Sequence, residues 1–139
     1  DYKNIFVFVH EDERFMLDDY PAKRIKTFRN GNTLRCGSLE ASCIHTPGHS
    51  PGGTCFLINE HCIVGDTLFV DGCGRVDLPG SDPKAMFTSL QKLKTLAPET
   101  IIYPGHTYGP SPTSTIGQQI ETNPYLQPNE LDEFFKNRL

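Results

Sequence analysis

Three polar side chains in this sequence stand where chemistry can be done: His49, Asp66 and His106. Each follows a short apolar run and each is preceded by glycine, in Thr46-Pro47-Gly48-His49, Gly65-Asp66-Thr67 and Pro104-Gly105-His106. Glycine lets the backbone turn sharply and approach a ligand closely, while the preceding strand fixes where the side chain points. Asp66 lies between Cys62-Ile63-Val64 and Leu68-Phe69-Val70, so the sequence predicts a carboxylate drawn into a largely apolar layer. An unpaired charge in such a place costs at least several kcal/mol, and a cation offsets that cost directly. Two neutral imidazoles with one carboxylate form a donor set suited to zinc or iron. Taken singly, a histidine after a strand is an ordinary hydrogen-bonded residue, and an Asp between Gly and Thr caps a turn. Together, in the same glycine-rich context, the three favour a metal centre.

The elements that must position them can be read from the apolar pattern. Ile5-Phe6-Val7-Phe8-Val9 has the composition of a strand buried on both faces. A polar, mixed stretch from Glu11 to Lys26 follows, with at most a short helix around Glu13–Leu17. Asn30-Gly31 then marks a turn, and Ile25–Phe28 with Thr33–Arg35 around it suggest a small hairpin. Leu39–Ile44, Thr54–Ile58 and Cys62–Val64 read as strands, the last two joined by a tight Asn59-Glu60 turn. Ser81-Asp82-Pro83 supplies a capping side chain and a proline at a helix start, and Met86, Leu90, Leu93 and Leu96 recur at helical spacing, which predicts a helix over 83–96. Ile101-Ile102-Tyr103 is the next strand, and strand, helix, strand with short links is the grammar of an α/β layer. Beyond Thr113 the pattern gives a short helix, a Pro-punctuated loop and an amphipathic helix near 129–137.

Bulk properties narrow the classes. The 139 residues are 37% hydrophobic and 22% charged, with no apolar run that approaches the ~20 residues of a membrane helix. A net charge of −4 argues against nucleic acid as a partner, since phosphate binding calls for clustered Lys and Arg. The one basic cluster, Lys23, Arg24, Lys26 and Arg29, reads as a solvated edge. Five cysteines without a C-x-x-C pair fit neither a disulfide framework nor a zinc knot. They read as small hydrophobes in a reducing, cytoplasmic protein.

At the three polar residues the sequence resembles the metallo-β-lactamase superfamily, and within it the glyoxalase II-like hydrolases. The resemblance rests on His45-Thr46-Pro47-Gly48-His49-Ser50-Pro51-Gly52, Gly65-Asp66-Thr67-Leu68-Phe69, Gly72-Cys73-Gly74-Arg75 and Pro104-Gly105-His106-Thr107-Tyr108, in order and spacing across about residues 33–108. It implies an α/β fold, the C-terminal half of a metallo-β-lactamase αβ/βα sandwich, with a mixed sheet covered by helices. It also implies that His49 binds a first metal, that Asp66 bridges two metals as the catalytic carboxylate, and that His106 binds the second. The family's other ligands come from an H-x-H-x-D-H motif upstream of the strand that Ile5–Val9 would occupy. That motif does not occur in these residues. Residues 1–139 are therefore expected to form a partial domain, truncated on its N-terminal side, that binds metal weakly and turns over little substrate by itself.

The activity so implied is hydrolysis of a small thioester or related acyl substrate by a metal-bound hydroxide, with two zinc ions in the complete site. Arg75 resembles a substrate-binding residue, standing where glyoxalase II enzymes hold glutathione with a lysine, and a guanidinium can grip a carboxylate with two hydrogen bonds. A pair between Arg75 and Asp77 explains the same residue equally well. Tyr108 resembles a tyrosine at the substrate mouth, with a packing role as the alternative. The tail through Glu121-Thr122-Asn123-Pro124 resembles shorter members, among them zinc hydrolases of polyketide synthesis and iron-dependent persulfide dioxygenases. An iron oxidoreductase on the same fold, and a non-catalytic remnant, are thus the competing functions. His45 is expected to pack or to support the site from behind, His10 and His61 to be surface histidines, and Asn123-Pro124 to stop a helix. Nothing in the residues sets the oligomeric state.

Overall fold

The computed structural model describes residues 5–137. Its centre is a six-stranded sheet made of β3 (Thr33–Cys36), β4 (Leu39–His45), β5 (Thr54–Ile58), β6 (His61–Gly65), β9 (Ile101–Pro104) and β10 (Ser114–Thr115). Their order across the sheet is β10-β9-β6-β5-β4-β3. All neighbours are antiparallel except β6 and β9, which run parallel with Gly65 opposite Pro104, so the sheet is mixed. A parallel neighbour needs a crossover. The segment between β6 and β9 supplies it, passing through the small hairpin β7 (Leu68–Phe69) with β8 (Gly72–Cys73) and then the helix α1 (Pro83–Leu93).

Alternation along the strands decides which face is covered. Cys62 and Val64 of β6 are fully buried while Ile63 between them is 47% exposed. On the buried face Cys55, Cys62, Val64 and Ile102 pack with Met86, Leu90 and Leu93 of α1, with Ile116 of α2 (Ile116–Thr122) and with Phe134 of α3 (Leu131–Lys136). The opposite face, carrying Ile63 and Tyr103, is partly open among the described residues.

The expected helix over 83–96 forms for the expected reasons and stops a turn early. Asp82 Oδ1 accepts from Lys84 N at 2.8 Å and Ala85 N at 3.1 Å, and Pro83 opens the first turn. Beyond Leu93 the backbone goes on as tight turns, and Leu96 still packs against the core from outside the helix. Each buried Leu or Met on α1 contributes about 1.5–3 kcal/mol relative to an exposed one.

Two expectations fail near the start of the chain. The run at Ile5–Val9 is not buried on both faces: β1 is Val7–His10, it pairs in parallel with β2 (Ile25–Phe28) as a separate two-stranded sheet, and Ile5, Phe6 and Phe8 are about half exposed. Nor do residues 25–28 and 33–35 form a hairpin. The Asn30-Gly31 turn is present, but Asn32 and Gly31 bond Cys43, so the chain past the turn joins β4 while β2 stays with β1. Local residues set the turn, and distant strands decide the pairing. The helix foreseen at Glu13–Leu17 is a 3-10 turn over Glu11–Leu17. No cysteine among the described residues is in a disulfide, and Cys43, Cys55 and Cys62 pack in the interior as small hydrophobes.

Candidate metal centre

His49, Asp66 and His106 are brought together at the same edge of the sheet. Asp66 and His106 follow β6 and β9, whose parallel register fixes their separation, and Gly105 N donates to Gly65 O at 2.9 Å to lock the two strand ends. His49 comes from the loop after β4. That loop is tied to α1, where Ser89 Oγ donates to Pro47 O at 2.6 Å and Asp82 N to Gly48 O at 2.8 Å. It is tied to the Asp66 turn by a buried hydrogen bond between Thr46 Oγ1 and Thr67 Oγ1 at 3.0 Å.

Two glycines are required here for space. A Cβ at Gly105 would run into Asp66 Oδ1, and one at Gly74 would run into the Asp66 carbonyl oxygen. The strand ends can close around Asp66 only because neither has a side chain.

The distances are those of a shared carboxylate. Asp66 Oδ2 lies 3.6 Å from His49 Nε2 and 3.5 Å from His106 Nε2. Ligands about 2.0–2.1 Å from a tetrahedral ion are about 3.3 Å apart, so each His–Asp pair is spaced to hold an ion between its atoms. Among the described residues only His10, Asp12 and His45 bring three ligand atoms within 4.8 Å of one another. His49 and His106 are therefore each beside Asp66 without closing into one cluster, which makes the carboxylate the common member. His49 Nδ1 lies 3.0 Å from the Arg75 carbonyl, an atom that can only accept, so Nδ1 carries the proton and Nε2 turns a lone pair towards Asp66. Acceptor facing acceptor is satisfied by a cation between them or by an extra proton. The residues present thus fit a metal ion.

One premise from the sequence is corrected. Asp66 is not drawn into an apolar layer; its side chain is 33% exposed, because it lies in the turn past the end of β6 and points out over the sheet edge. Desolvation therefore does not single it out, and the facing lone pairs do.

Beside these residues opens a cleft of about 520 Å³, lined by Phe69, Val70, Cys73, Arg75, Tyr108 and Tyr125. Arg75 gives Asp77 two hydrogen bonds, both of 2.9 Å, so its guanidinium is held at the rim by a neighbouring carboxylate. Tyr108 is 73% exposed and stacks on the His106 ring at 5.0 Å, while Phe69 meets both rings edge-on. The floor of the cleft is pinned from behind by Asn123, which is fully buried and donates to Phe69 O at 3.1 Å and Gly72 O at 3.0 Å. Asn123 does end α2, as expected, but its buried amide does more than stop a helix.

The remaining histidines separate. His61 shares a hydrogen bond of 3.0 Å with the Tyr103 hydroxyl and stays away from the centre. His45 packs and supports the loop from behind, bonding Pro51 O at 2.8 Å. His10 is no surface residue: it is 4% exposed and lies flat on His45 with ring centroids 4.0 Å apart.

The fold is a mixed sheet covered by helices, with a carboxylate between two imidazoles at one sheet edge. Residues 2–106 match the family described as the metallo-beta-lactamase superfamily, and the chain belongs to it. A probable polyketide biosynthesis zinc-dependent hydrolase, PksB of Bacillus subtilis, is 39% identical over 107 residues, which are 76% of this chain and 48% of that protein. Human mitochondrial persulfide dioxygenase ETHE1 is 34% identical over 110 residues, 77% of this chain and 43% of that protein. The crystal structure of a metallo-beta-lactamase from Staphylococcus aureus superposes with a TM-score of 0.84 at 28% identity, covering 95% of this chain and 44% of that one. The chain thus spans about half the length of the relatives it matches. No helix among the described residues is long and apolar enough to cross a membrane.

Proposed function

We propose that this chain supplies His49, Asp66 and His106 to a two-metal centre that hydrolyses a thioester or related acyl compound, in a protein whose further ligands come from outside residues 1–139. The observation that carries the reading is Asp66 Oδ2 held between His49 Nε2 and His106 Nε2 at 3.6 and 3.5 Å, with the His49 tautomer set by the Arg75 carbonyl. Bound metal supplies the Lewis acid and the acidified water, of pKa near 7, that acyl hydrolysis needs. This chain's residues do the holding. Asp66 is shared between the two sites, Arg75 O and Tyr108 orient the imidazoles, and the adjoining cleft receives the substrate, with the Arg75 and Tyr108 side chains at its rim. Zinc is the metal in this reading, supported by the similarity to the zinc-dependent hydrolase.

The similarity to a persulfide dioxygenase supports a second reading, an iron-dependent oxidoreductase on the same scaffold. Metal analysis of the whole protein, acyl-thioester turnover and oxygen uptake on a persulfide separate the two. Zinc with thioester turnover that Asp66→Ala abolishes supports the hydrolase. Iron with oxygen uptake overturns it, and metal content and activity unchanged by Asp66→Ala would leave a non-catalytic module.

A further inference from the structure

His10, Asp12 and His45 form a second cluster of metal-binding side chains, behind the loop that carries His49. Their arrangement rules out a shared ion. The two imidazoles are stacked, 4.0 Å between centroids and 14° from parallel. Nitrogen lone pairs lie in the ring plane, so two stacked rings point theirs along parallel planes and cannot both meet one ion at about 2.0–2.1 Å. The hydrogen bonds point to protons instead. His10 Nδ1 accepts from Asp12 N at 3.3 Å and is therefore unprotonated, while His45 Nε2 donates to Pro51 O at 2.8 Å. The Asp12 carboxylate lies 3.6 Å from His10 Nδ1 and 3.9 Å from His45 Nε2, close enough to balance one positive charge on the pair.

These contacts hold the back of the His49 loop. The Asp12 N–H that His10 accepts belongs to the start of the 3-10 turn Glu11–Leu17, and Glu13 of that turn accepts from Gly52 N at 3.0 Å. Pro51 and Gly52, fastened by His45 and Glu13, are two and three residues beyond His49. A proton on His10 Nδ1 removes the acceptor for Asp12 N, loosens the turn that presents Glu13 and sets a charge against the His45 ring.

We propose that the stacked His10–His45 pair is a positioning clasp for the His49 loop, closed while His10 Nδ1 is unprotonated and opened by a proton there. The charged groups around it are Glu11, Asp12 and Glu13 on the turn, and Lys92 of α1, whose Nζ donates to His45 O. Glu11 is itself paired with Arg29, and the only neighbour from β2 in ring contact with His10 is the edge of Phe28. Burial, then the neighbouring His45, lower the His10 pKa against the opposing pull of the three acids, which keeps the pair in its closed form at neutral pH. The clasp rests on the proposed ligand role of His49 only for its consequence, and it is tested without metal.

The test is an NMR titration of imidazole carbons and backbone amides in the whole protein carrying His49→Gln and His106→Gln, which removes the titration of those two residues. The expected result is a His10 step below the ordinary histidine value of about 6.5, with the Gly52 amide moving at the same pH. Adding His10→Phe should abolish the Gly52 step. Should that variant not fold, His45→Gln keeps a donor for Pro51 O and removes the neighbouring imidazole that lowers the His10 pKa, and the His10 step should move upward. A His10 step at or above the ordinary value, or a Gly52 amide indifferent to it, overturns the clasp. Among the histidines of residues 1–139, zinc added to the unaltered protein should shift the resonances of His49 and His106; a zinc response centred on His10 and His45 would overturn the stacking argument. Failure to bind zinc at all leaves the titration result intact and counts against the metal centre alone.

Discussion

The hydrogen bond between Thr46 and Thr67 joins the loop of His49 to the turn of Asp66, and replacing either hydroxyl tests whether that link holds the metal centre together. Both residues are buried, at 0% and 4% exposure, and their Oγ1 atoms are 3.0 Å apart. A net buried hydrogen bond contributes about 0.5–1.5 kcal/mol, and an orphaned partner costs about 1–3 kcal/mol. In Thr46→Val the Thr67 hydroxyl keeps an outlet, since it already points a long 3.5 Å bond at the Thr46 carbonyl. In Thr67→Val the Thr46 hydroxyl keeps the Cys55 sulfur at 3.3 Å, a weak partner. Each single change should therefore cost about 1–2 kcal/mol in urea denaturation, the double change less than the sum, with a coupling of about 1 kcal/mol. If that registration is otherwise drawn from metal binding, zinc affinity of the whole protein should fall up to about tenfold, the equivalent of about 1.4 kcal/mol. A coupling below about 0.3 kcal/mol, inside the scatter of independent sites, would refute the link. So would unchanged zinc affinity in a destabilised Thr46→Val protein.

Other outcomes follow from the same contacts. Asp66→Asn keeps the shape but removes the shared charge, and competition against a chelator should show a loss of zinc affinity larger than the roughly 10–100-fold that a supporting partner costs. Arg75→Ala should leave zinc affinity unchanged, because His49 bonds the carbonyl and not the guanidinium, while KM for an anionic acyl substrate rises if the side chain grips it. Leu90→Ala, at a fully buried position on α1, should destabilise the fold by about 2–5 kcal/mol in urea denaturation. His10 has a folded pKa below its unfolded value, so the unfolded chain binds the extra proton first. Stability should accordingly fall as pH drops below about 6.5 towards that lowered value, and a stability-against-pH series should be flatter in His10→Phe.

What could be read from sequence was whatever is local or tied to period. Asp82-Pro83 with Met86, Leu90 and Leu93 specifies its helix from cap to core face, and the glycines beside His49, Asp66 and His106 mark the strand ends that bring those residues together. Long-range matters were hidden. Nothing near Asn30-Gly31 reveals that the strand beyond it pairs with β4, and nothing near His10 reveals that it will lie on His45, thirty-five residues away. The burial of Asp66 was misjudged because apolar neighbours in sequence are not neighbours in space once the chain turns at Gly65. Asn123 carried a visible signal, an amide before Pro124 at the end of a helix, but its bonds to Phe69 and Gly72 span more than fifty positions in the chain and leave no pattern.

The parallel pairing of β6 with β9 reaches beyond architecture. Asp66 and His106 sit on adjacent rails whose alignment is fixed by Gly65 opposite Pro104, whereas the stretch between them departs from the sheet and returns. Insertions or deletions around Leu78–Ser81, exposed or half-exposed and bonded chiefly within their own turn, would leave the spacing of Asp66 and His106 unchanged. Such a layout lets the connecting segment vary in length while Asp66 and His106 stay in register.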